Sequence, residues 1–178
     1  MTIEKVTPVL DGRIIKVNIE QVRLPNDHLA TLEIVHHPGG AAVVALDDGN
    51  RVCLVRQYRH AAGGYIWEIP AGKIDDREAP LLTARRELEE EAGRTASEWR
   101  SLGEYLSSPG FLTEVVHLFL ATGLTEVEHR LEASEVLEAH WLPFEQVMRM
   151  AHSGELRDGK SLAALLRVAP YVQSPERG

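Results

Sequence analysis

The sequence predicts an α+β protein: a mixed sheet lying between helices, preceded by a small antiparallel β extension. Three observations predict it. Strand-like and helix-like runs alternate irregularly along the chain, so a doubly wound parallel sheet is not expected. Several strand-like runs are separated only by short turns such as Asp47-Asp48-Gly49-Asn50, which suits antiparallel neighbours. The 178 residues, 44% of them hydrophobic, are enough for one domain with a sizeable core plus an extension. We place the extension at residues 1–38 and the main domain at 39–178, with the boundary in His36-His37-Pro38-Gly39-Gly40.

The elements follow in order. Residues 12–36 read as two or three strands, broken by Pro25-Asn26-Asp27. Such a small hairpin unit is marginal alone and needs the main domain or a second subunit to pack on. His36 and His37 would point to opposite faces of a strand, so they are not expected to share a metal. Residues 41–48 form a continuous apolar strand, and 51–60 its expected hairpin partner across Asp48-Gly49-Asn50. A loop and strand over 63–74 lead into a helix at 80–92, with Pro80 in its first turn and Gly93 just past its end. A strand and turn at 97–110, a buried strand at 114–124 and an acidic loop at 125–135 come next. The last strand is expected at 136–142, one helix opens after Pro143 and stops at Gly154, and a final helix spans roughly 160–168.

Composition excludes some function classes. A net charge of −8 argues against a general nucleic-acid binder. It also means that an anionic substrate needs cations or a local basic patch. The single cysteine, Cys53, lies in an apolar run and is expected in the core, so no internal disulfide forms. Neither a signal peptide nor an apolar run of membrane-spanning length is apparent, and a soluble cytoplasmic protein is expected.

The chemistry concentrates in residues 72–93, GKIDDREAPLLTARRELEEEAG. On the predicted helix, Leu81, Ala84, Leu88 and Ala92 share one stripe facing the core. Glu87 and Glu91 sit four apart at its edge, Glu90 is nearby, and Glu89 points into water. Like charges at this spacing cost about 0.2–0.5 kcal/mol per pair. They also crowd the negative end of the helix dipole. A solvated acidic face is one explanation. A divalent cation such as Mg²⁺ or Mn²⁺ among hard oxygen ligands is the other.

The register of the segment shifts the balance towards the cation. Gly72, Glu78, Arg86, Glu87, Leu88, Glu90, Glu91 and Gly93 match G-x5-E-x7-R-E-U-x-E-E-x-G-U, where U is a bulky apolar residue, and only Arg94 departs from it. The chain thus resembles the Nudix hydrolases, which implies an αβα sandwich over roughly residues 39–170. Pro109, sixteen residues after Gly93, the N-terminal hairpin and the strings VRQYRH and WEIPAG resemble one branch of that family. That branch comprises the ADP-ribose pyrophosphatases and nucleoside diphosphate sugar hydrolases. In the S-P-G-x-S-D-E pattern of that branch this chain reads SPGFLTE, which keeps the acidic end as Glu114.

The resemblance implies roles residue by residue. Glu87 and Glu91, with Glu90 assisting and the carbonyl of Ala71, would hold Mg²⁺ or Mn²⁺. Arg86 would orient the glutamates, and Glu78 would be structural or stand just outside the metal ligands. Arg59 would meet the diphosphate, Glu68 would read the nucleoside, and Arg56, Pro109 and Glu114 would contribute to substrate binding. Glu135, or failing it Glu132, would be a further ligand or the general base. A homodimer built through the N-terminal extension is implied, and neither nucleic acid nor membrane is an expected partner. Glu68 also raises a purely physical expectation: a carboxylate inside the apolar strand YIWEI needs either a ligand or a nearby arginine. The expected reaction is hydrolysis of ADP-ribose or a related nucleoside diphosphate sugar. Alternatives are other dinucleotides, such as NADH or diadenosine polyphosphates, a nucleotide-binding sensor without catalysis, or a Ca²⁺-binding surface.

Overall fold

The computed structural model describes residues 1–75, 78–128 and 137–172. The chain forms two compact units. The N-terminal unit, Met1–Gly39 with Leu106–Val115, is a meander of β1 (Thr2–Asp11), β2 (Lys16–Arg23) and β3 (Leu29–His36), paired antiparallel in that order. Strand β1 was not expected from the sequence. Every one of its residues is exposed, so it lacks the one-sided apolar pattern that marks a half-buried strand. The turn between β2 and β3 is closed by Asp27 at φ 65° and by the His28 N–H donating to Asn26 Oδ1. Val35 takes the 106–115 segment onto this unit: its N–H donates to the Phe111 carbonyl, and its own carbonyl accepts from the Thr113 N–H. His36 and His37 pair with separate carboxylates, Glu20 at 2.8 Å and Glu114 at 3.3 Å.

The larger unit, Gly40–Tyr105 with Val116–Gly178, carries the main core. Its strands are β4 (Gly40–Ala45), β5 (Arg51–Arg59), β6 (Gly64–Glu68), β7 (Ala71–Lys73), β8 (Arg94–Leu106), β9 (Val115–Glu126) and β10 (Leu137–Pro143). Its helices are α1 (Pro80–Ala92), α2 (Phe144–Ser153) and α3 (Gly159–Val168). One sheet is mixed, in the order β7-β4-β9-β8, with β4 parallel to β9 and antiparallel to β7. A second sheet runs β10-β5-β6 and is antiparallel.

All six residues of β4 are buried because both faces are covered. Ala42 and Val44 pack in one cluster with Val147 of α2 and Leu165 and Val168 of α3. Ala41, Val43 and Ala45 pack in the other with Ala84, Leu88 and Ala92 of α1. The α+β sandwich expected from the pattern is therefore the observed architecture.

One expected pairing is corrected. Strands β4 and β5 are not a hairpin: they share a single bridge, Leu46–Val52, and belong to different sheets. The turn itself is tight, with Asp47 Oδ1 accepting from the Gly49 and Arg51 N–H groups and Asn50 at φ 56°. Both edges of β4 are already taken by β7 and β9, so β5 pairs elsewhere, with β10 and β6.

Helix α1 spans the expected residues, and Gly93 ends it in the left-handed conformation at φ 59°. Among the described residues no helix is long and apolar enough to cross a membrane. Glu132 and Glu135 lie outside the described residues.

Candidate active site

Helix α1 and strand β7 position the acidic residues. Ala84, Leu88 and Ala92 anchor the inner face of the helix, which drags its neighbours Glu87 and Glu91 down to 5% and 1% exposure. Glu89, on the other face, stays exposed. A buried carboxylate costs several kcal/mol unless it is paired or hydrogen-bonded. Glu91 Oε2 accepts from the Ala71 N–H at 2.9 Å. The Glu87 carboxylate lies directly on the backbone of Gly72, where a methyl group would overlap it. Glycine at this position is what lets the glutamate approach.

Arg86 binds the acids from the outer side. Its Nη1 donates to Glu87 Oε1 at 2.7 Å and to Glu90 Oε2 at 3.0 Å. Its Nη2 reaches the Lys73 carbonyl at 3.4 Å and stands 3.7 Å from Glu78. Burial opposes its charge, but Glu87, Glu90 and Glu78 outweigh that and raise its pKa further. Glu78 also accepts from the Thr83 hydroxyl at 2.8 Å. Cys53 is buried in the core, where burial first and the Glu91 charge second push its thiol up to about 12.

As the side chains stand, no three His, Cys, Asp or Glu residues among the described ones converge to cage an ion. The donor chemistry nevertheless fits a hard divalent cation. It consists of carboxylate oxygens beside a bare glycine backbone, with a positive guanidinium already bridging two of them.

A second charged cluster lies on β5, β6 and α3. Arg59 grips Glu68 side-on, with Nε to Oε1 at 2.9 Å and Nη2 to Oε2 at 2.8 Å. Lys160 Nζ adds a bond to Oε2 at 2.7 Å and stands 3.1 Å from Asp158 Oδ2. Burial alone would raise the Glu68 pKa, but the Arg59 bonds and the Lys160 charge overcome it and hold the carboxyl at about 2. The Glu68 bond raises the Arg59 pKa against burial, and Glu91 and Asp158 add attraction. Arg59 therefore sits in the electrostatic field of Glu91.

The structure thus brings Glu87, Glu90, Glu91 and Ala71 together, and Arg59 with Glu68. It does not bring Arg56 to that pair. Arg56 and Arg59 are three apart on a strand, so their side chains leave opposite faces, and Arg56 stacks over Tyr65 at 5.3 Å. Pro109 and Glu114 belong to the N-terminal unit, where Glu114 accepts a hydrogen bond from Ser107. Lys160 and Asp158 were not picked out from the sequence. Asp158 preceding a helix is a legible N-cap signal, but nothing local reveals a partner 92 residues away from Lys160.

A buried acidic helix resting on a glycine strand inside an αβα sandwich suits hydrolysis assisted by a hard cation, and comparison with known proteins gives the class. The NUDIX domain model matches residues 36–165, and the chain belongs to the Nudix family of pyrophosphohydrolases. It is 38% identical to the ADP-ribose pyrophosphatase of Bacillus subtilis over 94% of this chain and 90% of that one. It is 41% identical to the ADP-ribose pyrophosphatase of Mycobacterium tuberculosis, over 88% and 77%. It is also 36% identical to the methanol dehydrogenase activator of Bacillus methanolicus, over 97% and 92%. A solved structure of an ADP compounds hydrolase superposes with a TM-score of 0.81 at 22% identity, covering 96% of this chain and 92% of that one. At that identity it bears on the fold alone. Nudix hydrolases generally depend on divalent metal ions, and the oxygen donors described above are of the matching kind.

Two outcomes follow from this geometry. Gly72→Ala displaces the Glu87 carboxylate; we expect turnover to fall about 100-fold or more while circular dichroism stays that of the wild type. Unchanged turnover would mean that the Glu87 position is unimportant. Glu68 has a folded pKa below its ordinary 4.5, so its contribution is complete above pH 4.5 and is lost as pH falls towards about 2. The loss is about 3 kcal/mol at most. Urea titrations at stepped pH should show that loss in the wild type and not in Glu68→Gln; parallel curves would refute the assignment.

Proposed function

We propose that the chain hydrolyses the pyrophosphate bond of ADP-ribose or a related nucleoside diphosphate sugar, giving a nucleoside monophosphate and a sugar phosphate. The observation that carries the proposal is the placement of Glu87 and Glu91 on the consecutive residues Gly72 and Ala71. The same strand-to-strand segment begins at Glu68, the partner of Arg59. Similarity to ADP-ribose pyrophosphatases over nearly the whole chain supports the choice of substrate.

Glu87, Glu90, Glu91 and the carbonyl of Ala71 would hold the divalent ions, Mg²⁺ or Mn²⁺. Such ions, when bound, offset the diphosphate charge and lower the pKa of bound water. The chain's own residues supply positioning, which is most of what phosphoryl transfer requires. Arg86 holds Glu87 and Glu90 in place from outside. Arg59, already fixed by two bonds to Glu68, donates its remaining N–H groups to a phosphate oxygen. Both Glu68 oxygens are taken by Arg59 and Lys160, which favours a role in aiming Arg59 over direct contact with the nucleoside. Water adds to one phosphorus, the bridging P–O bond breaks, and the other phosphate leaves carrying the electron pair. Glu135 is the proposed base. Pro109 and Glu114 are assigned to substrate recognition by the resemblance alone.

We also infer a homodimer built through the N-terminal unit. Strand β1 stands at the edge of its sheet with Ile3, Val6, Val9 and Leu10 all about half exposed or more, 53%, 47%, 61% and 49%. Apolar side chains gathered on one exposed strand form a surface that a second copy of the chain can cover.

A Mg²⁺-containing assay with ADP-ribose, ADP-glucose, GDP-mannose and NADH, reading phosphate released by added phosphatase, tests the activity. ADP-ribose or a sugar nucleotide should turn over, and Glu91→Gln should lower kcat at least about 100-fold without unfolding the protein. Turnover of NADH alone would favour the dinucleotide reading, and no turnover at all the sensor. Sedimentation equilibrium should give twice the chain mass at micromolar concentration; a monomer there would rule out the dimer.

A further inference from the structure

The cluster around Glu68 contains more than the nearby arginine that was one of the two partners expected for a carboxylate in that strand. Asp158 caps α3: its Oδ2 accepts from the Ser161 N–H at 3.0 Å and from the Ser161 hydroxyl at 2.5 Å. Ser161 Oγ in turn accepts from the Ile69 N–H at 2.9 Å, and Ser161 is fully buried. Lys160, one residue earlier, binds Glu68, one residue before Ile69. Two consecutive residues at the start of α3 therefore tie down two consecutive residues at the end of β6.

The tie reaches further along the chain. After Ile69, the Pro70 carbonyl accepts from the Val43 N–H at 2.9 Å, and the Ala71 N–H donates to Glu91. The stretch 68–72 is held at one end by α3, in the middle by β4, and at the other end by the acids of α1.

The Glu68 carboxylate has two jobs in conflict. It must hold Arg59 firmly, yet an arginine wholly satisfied by one carboxylate has less attraction left for an anionic ligand. Lys160 resolves this in two ways. It shares Oε2, so part of the carboxylate charge is directed away from Arg59. It also anchors that oxygen, so the carboxylate cannot swing out with the guanidinium when a ligand pulls on it. Lys160 is only 16% exposed and is itself held by Asp158, so it cannot easily let go. The Nη1 group of Arg59 has no partner among the described residues, and the side chain is 41% exposed.

We propose that Lys160 is a positioning residue for substrate: by fixing Glu68, it holds Arg59 in the orientation that presents Nη1 to the diphosphate. This rests on the reading above that Arg59 grips the substrate.

The test is steady-state kinetics on ADP-ribose with Mg²⁺ for Lys160→Met, Lys160→Arg, Arg59→Ala and the Lys160→Met/Arg59→Ala double variant. Lys160→Met keeps the apolar stem and removes the charge; KM should rise about tenfold with kcat within about threefold of wild type. Lys160→Arg should recover most of that loss. In the Arg59→Ala background the Lys160→Met change should add nothing to KM, since both act through one contact. Equal KM effects in both backgrounds, or a fall in kcat with KM unchanged, would overturn the proposal. If Arg59→Ala raises KM and Lys160→Met does not, the proposal alone fails; if Arg59→Ala leaves KM unchanged, the diphosphate reading of Arg59 fails with it. Should Lys160→Met be insoluble, Asp158→Asn frees Lys160 while leaving an acceptor for the cap. It should raise KM about two- to threefold, and no rise would count against the proposal.

Discussion

The larger unit depends on one constraint: two glutamates of a packed helix are pressed against the backbone of a short strand. Leu88 and Ala84 bury the inner face of α1, and the helical repeat then leaves Glu87 and Glu91 almost no contact with solvent. Each must be satisfied where it lies. Glu91 takes the Ala71 N–H; Glu87 takes an arginine from its own helix and rests where Gly72 has no side chain. A helix chosen for stability alone would not put charge there, nor carry acids at its C-terminal end with no basic residue in its last turn. Stability is conceded at this point, which is the pattern expected of a functional site.

The stretch 68–72 is where the sheets and helices of the larger unit meet. The Arg59–Glu68 pair, the cap of α3, the Val43 N–H of the central strand and the Glu91 carboxylate attach to four consecutive residues, Glu68 to Ala71. Charge follows the same line. Lys160 and Arg59 offset Glu68, Arg86 offsets Glu87 and Glu90, and Glu91 acts at longer range on both Arg59 and Cys53.

Strand β4 makes that arrangement possible. Alternate residues face α1 on one side and α2 and α3 on the other, so one six-residue run supports both the acidic helix and the helix that carries Lys160. Its small side chains, Ala41, Ala42 and Ala45, let both layers approach closely.

Much of this was written locally. Helix α1 was legible to the residue because Pro80, the apolar stripe and Gly93 are consecutive signals within one segment, and Glu87, Glu90 and Glu91 were legible because their register lies within twenty-two residues. The runs 41–48 and 114–124 announced themselves as apolar strands, and β4 and β9 lie there at Gly40–Ala45 and Val115–Glu126. Three things were decided only in three dimensions. Strand β1 has no buried face and so no pattern to read. The partner of β5 was settled by competition, since β7 and β9 had already taken both edges of β4. The contact of Lys160 with Glu68 joins positions 92 residues apart, and no periodicity or turn chemistry spans that distance. By itself the sequence determined which residues carry charge and which faces are apolar, because these are properties of neighbours along the chain. Tertiary structure decided which charges meet, because that depends on how sheets and helices close around a shared core.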